Sequence, residues 1–206
     1  LTIMKRILST LFFLLLVVAS FAQNNGDHLK FMGIPLTGNI TQFQSKLIAK
    51  GCTLDKISSA NASNGLRIFN GSFAGNKVKI IVFYNPQNKI VYRAKALLDG
   101  VSEDRAEQEY YKIKSLLSQK YGSDYMETSE NEGREACSFP SLKTNGQYVD
   151  SENAADLSEV INGRIDIYIG IDAESWIRSP FNYNLHIDYN DYLNSQQLNA
   201  DMLEDL

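Results

Sequence analysis

Two periodicities alternate along the chain. Ile40, Phe43 and Leu47 recur at helical spacing, with Asn39 placed to cap the first turn, Gln42 three residues on, and Gly51 to stop the helix. From Leu66 the period falls to two. Runs over 66–73, 77–84 and 89–97 are rich in β-branched and aromatic residues, and Asn70-Gly71, Gly75-Asn76 and Asn85-Pro86-Gln87-Asn88 mark the bends around them. An antiparallel meander is predicted. Val78, Ile80, Val82 and Tyr84 share one face of the second run, opposite Lys77, Lys79, Ile81 and Phe83. In the third, Ile90, Tyr92, Ala94 and Ala96 oppose Lys89, Val91, Arg93, Lys95 and Leu97.

The alternation then repeats. Ser102 opens a second predicted helix, with Glu103 and Asp104 in its first turn and Lys120 next to Gly122, the charge order that suits a helix dipole. Ala106, Tyr110, Ile113 and Leu117 form its apolar stripe, widened by Leu116. Strands are predicted at 134–139, 146–149, 164–171 and 183–189. Ile165, Ile167, Ile169 and Ile171 line one face of the third of these, and Tyr183, Leu185, Ile187 and Tyr189 one face of the fourth. Their other faces carry Asp166, Tyr168, His186 and Asp188. The polar stretches 123–133 and 140–163 are expected to be connections, the latter with a short helix over 154–161. The acidic segment 192–206 is expected to be a loose helix capped by Asp191. This order predicts an α+β fold with helices on one face of an antiparallel sheet, built from two helix-plus-meander units over about 31–100 and 101–191. Ser45, Leu47 and Lys50 of the first helix recur seventy positions later as Ser115, Leu117 and Lys120.

The first 22 residues break the pattern. Lys5-Arg6, an apolar run to Val18 and the small residues Ser20 and Ala22 read as a signal peptide, with Met4 as the expected start and cleavage after Ala22. Its apolar run is too short to span a bilayer, so no membrane span is expected after cleavage, and the product is expected to be periplasmic or secreted. Residues 23–30 are expected to be a loose lead-in to a single domain over 23–206. Removing the segment takes the charge from -4 to -6, which argues against nucleic acid as a partner. In an oxidising compartment Cys52 and Cys137 are either buried thiols or a disulfide.

Catalytic motifs are scarce. The chain has no G-x-S-x-G elbow, phosphate-binding G-x-x-x-x-G-K-[ST] loop, H-E-x-x-H helix or C-x-x-C pair, and nothing in it calls for a cofactor. Asp188, Asn190 and Asp191 begin like a calcium loop, but Tyr192, Leu193 and Asn199 stand where the ligands and glycine belong, so no metal is expected. His28 and His186 are the only histidines, and Cys52 with His186 is the one thiol pair to consider. What remains is a polar sheet face holding Lys77, Lys79, Arg93, Lys95, Tyr168 and His186, with Trp176 on a connection near Phe181 as a second aromatic contact. That face predicts a binding role toward a protein partner in the cell envelope. The alternatives are a small hydrolase using Asp166 with Asp188, and a glycan-binding module using Trp176.

The run Phe31-x-Gly33-Ile34-x-Leu36-x-Gly38, continued by Phe43, Leu47, Lys50, Gly51 and Gly71-x-Phe73-Ala74-Gly75, resembles uncharacterised secreted proteins of Bacteroidetes. The junction Ser20-Phe21-Ala22-Gln23 is similar to their signal-peptide ends, and the likeness extends through Tyr121-Gly122 and Leu185-x-Ile187-x-Tyr189-x-Asp191. In layout, two helix-plus-meander units resemble the β-lactamase inhibitory protein and related outer-membrane assembly lipoproteins. That resemblance implies protein binding through a sheet surface or exposed loops. It assigns no catalytic residue.

Overall fold

A computed structural model describes residues 28–124, 126–142, 161–171 and 182–195. The expected signal peptide, the strand at 146–149, nearly all of the short helix at 154–161 and Trp176 lie outside them. The described chain forms one eight-stranded antiparallel sheet with helices on one face, as the α+β pattern predicts.

A two-residue hairpin, β1 (Lys30–Phe31) with β2 (Ile34–Pro35), leads into helix α1 (Ile40–Ala49). The Asn39 side chain accepts from Thr41 N, as the sequence suggests, and the helix buries Ile40, Phe43 and Leu47. A short strand β3 (Thr53–Leu54) and helix α2 (Lys56–Asn61), capped by Asp55, follow. The first meander is β4 (Leu66–Phe73), β5 (Asn76–Tyr84) and β6 (Val91–Val101). Helix α3 (Glu103–Tyr121) runs from Ser102 to Gly122, which takes a φ of 81°. Its buried stripe is Ala106, Tyr110, Ile113 and Leu117, whereas Leu116 faces outward, 48% exposed. The second meander is β7 (Glu127–Asn131), β8 (Arg134–Leu142), β9 (Ile161–Ile171) and β10 (Tyr183–Asp191).

The strands lie in the order β3-β4-β5-β6-β10-β9-β8-β7. The last strands of the two meanders, β6 and β10, therefore pair at the centre of the sheet. One core lies between the sheet and the helices. Phe69, Val78, Ile80, Val82, Val91, Ala94, Ala96, Phe139, Ile165, Ile167, Ile169, Leu185, Ile187 and Tyr189 supply the sheet side. Among the described residues no helix is long and apolar enough to cross a membrane.

Three local readings are corrected, and one left open is decided. β7, with the sequence ETSEN, is an edge strand exposed along most of its length, so it lacks the apolar alternation that marks a buried strand. In β6 the pairing jumps from Phe83↔Arg93 to Tyr84↔Val91, and this bulge at Tyr92 returns Val91 to the core face together with Ala94 and Ala96. The lead-in is not loose at its end. Leu29 is 1% exposed, and Phe31, Ile34 and Leu36 join the core. Of the two states open to Cys52 and Cys137, the structure shows buried, free thiols. Cys52 precedes β3 at one end of the sheet and Cys137 sits in β8 near the other, too far apart for a bridge.

The acidic end of β10 fastens the lead-in. Asp191 is fully buried; its carboxylate accepts from Leu29 N at 2.9 Å and lies 3.1 Å from His28 Nδ1. It also accepts from Asn194 N at 3.1 Å, capping the helical residues 192–195 as the sequence predicts. The Asn194 side chain then donates to the carbonyls of Leu36 and Val91. Gly163 makes room for this closure. A Cβ there would stand 2.6 Å from the Asn190 carbonyl oxygen and 3.1 Å from Leu29.

Candidate functional site

Strict antiparallel register turns the sheet face opposite the helices into rows that cross several strands. One row runs Asn70, Lys79, Leu97, His186, Tyr168. The next is Ile68, Ile81, Lys95, Asp188, Asp166, Ser138, Glu127, and the third is Leu66, Phe83, Arg93, Asn190, Arg164, Pro140. Helix α2 borders this face at β4, where Ser59 Oγ donates to the Ile68 carbonyl and accepts from Ile68 N. The face divides into a half-buried apolar part on β4 and β5 and a polar part on β6, β10, β9 and β8.

The polar part is an interlocked set of ion pairs. Arg93 Nε donates to Asp188 Oδ1 at 2.8 Å and its Nη2 donates to Oδ2, a two-pronged pair whose carboxylate is 4% exposed. This bond raises the Arg93 guanidinium above its usual pKa against the opposing effect of burial. Lys95 Nζ stands 4.0 Å from Asp188 and donates to Tyr168 Oη at 3.0 Å. A second unit lies alongside. Arg164 Nε donates to Asp166 Oδ1 at 2.7 Å, while Ser138 Oγ donates to the same oxygen at 2.6 Å and accepts from Arg164 Nη2 at 2.8 Å. A depression of about 310 Å³ lies over these groups, lined chiefly by Arg93, Ser138, Arg164, Asp166, Tyr168 and Asp188. A neighbouring one of about 290 Å³ shares Ser138 and Arg164 and continues over Pro140, Ile161 and Tyr192.

Tyr168 and His186 are direct cross-strand partners, and their rings stack at 4.5 Å with an interplanar angle of 7°. Gly170 permits this, because a Cβ there would lie 3.1 Å from His186 Nε2. Burial, aided by the Lys95 charge, lowers the His186 pKa to about 4, against a smaller raising effect from Asp188. The imidazole is neutral at neutral pH, and its Nδ1 is buried without a hydrogen-bond partner among the described residues. Lys95 Nζ also sits 5.3 Å from the centroid of the Tyr168 ring, so the ring is engaged by both the ammonium and the imidazole.

The structure therefore gathers Arg93, Lys95, Tyr168 and His186 into one cluster. Lys79 lies apart, paired with Asp99 at 2.5 Å, and Lys77 is exposed with no ion pair among the described residues. Asp99 and Asp188 thus pair with Lys79 and Arg93, and Lys77 and Lys95 remain as the excess positive charge of this half. Cys52 and His186 do not meet. Cys52 packs against Gly71 and Ile80 on the helix side, and His186 stands on the opposite face. Asp166 and Asp188 are direct cross-strand partners, yet each carboxylate is held by its own arginine. Among the described residues no group of three or more His, Cys, Asp or Glu is placed to hold a metal ion.

Ser138 and Arg164 were missed by sequence reasoning. The Arg164-x-Asp166 spacing, which puts both on one strand face, was a usable signal; Ser138 gave none before β8 was placed beside β9. Among the described residues these features define a two-layer α+β arrangement with a charge-locked sheet surface opposite the helices. Comparison with family models, curated proteins and solved structures finds no match to this chain.

Proposed function

We propose that the chain is an exported, non-enzymatic interaction protein that binds a protein partner of the cell envelope through its open sheet face. The observation that carries this reading is the locked Arg93–Asp188 and Arg164–Asp166 network beside an apolar patch, all on one sheet surface that α2 borders at β4. A surface whose polar groups are already paired is rigid before binding, which lowers the entropic cost of association. The same pairing disfavours acid–base catalysis by Asp166 and Asp188. Tyr168 does not offer a free ring to a sugar, since it already stacks on His186 and sits under Lys95; the glycan alternative on Trp176 lies outside the described residues.

The test is affinity capture from envelope extract with the native protein and with a Lys77→Glu/Lys79→Glu variant, chosen because both side chains are exposed and their reversal spares the buried pair. A partner held by the native protein and lost by the variant supports the reading. An identical partner set from both proteins opposes it.

A further inference from the structure

The open face carries an apolar block at one side. Leu66 pairs with Phe83 and Ile68 with Ile81, so four large apolar side chains form a contiguous block on β4 and β5, with Leu97 flanking it on β6. All five are half-buried and none joins the core behind the sheet. Strand spacing makes this block roughly 10 Å by 14 Å. Its border is fixed, because Arg93 lies 4.6 Å from the Phe83 ring centroid while holding Asp188. An apolar centre with a charged rim is the anatomy of a protein-binding surface.

Charge identifies the partner. On this face of β4, β5, β6 and β10 stand four cations, Lys77, Lys79, Arg93 and Lys95, against two carboxylates, Asp99 and Asp188. The surface is locally positive on a chain whose net charge is -4. A second copy docking the same face would oppose like charges, and a nucleic acid would leave the apolar block without a counterpart. Resting on the reading of this face as the binding surface, we infer that it docks an acidic amphipathic segment of a partner protein. The apolar side chains of that segment cover Leu66, Ile68, Ile81 and Phe83, and its carboxylates meet Lys77 and share Lys79 with Asp99.

The experiment is selection of a random linear peptide library on the full chain, followed by affinity measurement with individual synthetic peptides. Selected peptides are expected to be acidic with large apolar residues at regular spacing. Their affinity should fall about tenfold in Ile81→Asp and in Lys77→Glu/Lys79→Glu, and should weaken with salt. The exposed lysines give a readout that does not depend on Ile81→Asp remaining folded. Neutral or basic peptides that still lose affinity in these variants would overturn the acidic partner while leaving the face as the binding surface. Peptides insensitive to both variants, or no enrichment, would overturn both. Self-association of the chain that Ile81→Asp abolishes would replace the partner with a second copy.

Discussion

Arg93 reaches diagonally across the β6–β10 pair to hold the buried carboxylate of Asp188 with two hydrogen bonds, although its direct register partner is Asn190. The two meanders are thereby joined at the centre of the sheet by a charge pair as well as by the ladder. Removing one member of a buried pair leaves an uncompensated charge, whereas a fully exposed pair is worth little. Arg93 is partly exposed, so Arg93→Ala should cost an intermediate amount, about 2 kcal/mol. Urea denaturation checks this, and Arg93→Ala/Asp188→Asn should recover part of the loss.

Asp191 governs the lead-in. Asp191→Ala removes the acceptor for Leu29 N and Asn194 N, and an unpaired buried donor costs about 1–3 kcal/mol. Hydrogen exchange should show the Leu29 amide losing protection in this variant while the central β6–β10 amides keep theirs. Uniform loss across the sheet would show that the lead-in is not a separately fastened element.

His186 makes stability depend on mild acid. Its folded pKa of about 4 lies below the unfolded value, so the unfolded chain takes up the proton first as pH falls. This contribution to stability is complete above the unfolded pKa near 6.5 and is lost as pH falls from there toward 4, about 2 kcal/mol between pH 7 and pH 5. His186→Gln should flatten the stability profile in that window. An unchanged slope would show that the imidazole is not held neutral.

Both thiols should be silent in the native state. Cys52 is raised above the usual thiol pKa by burial, and Cys137 lies under α3 with its Sγ 3.0 Å from Tyr110 Oη. A thiol reagent should label neither cysteine in buffer and both in denaturant. Quantitative formation of an intramolecular disulfide under mild oxidation would contradict the placement of the two residues at opposite ends of the sheet.

Much of this architecture was legible from the pattern of residues. Asn39, Ser102 and Gly122 fixed helix ends, and the alternation in 164–171 and 183–189 gave the two strands that now carry Asp166, Tyr168, His186 and Asp188. β7 was hidden because an exposed edge strand has no buried face to pattern it. The bulge at Tyr92 was hidden because it shifts the alternation by one residue without a proline or glycine to announce it. The site was legible as a list of residues and not as a cluster. That Asp188 holds Arg93 depends on β6 lying beside β10, a long-range pairing that local periodicity does not encode.

Photo-crosslinking tests the central claim most directly. A photoreactive phenylalanine analogue is placed at Phe83 on the open face in one preparation and at Tyr111, 57% exposed on α3, in another. Each preparation is then incubated with the partner captured from envelope extract. The account predicts a crosslink from position 83 and none from position 111. A crosslink from 111 alone would contradict it, placing the interaction on the helical side.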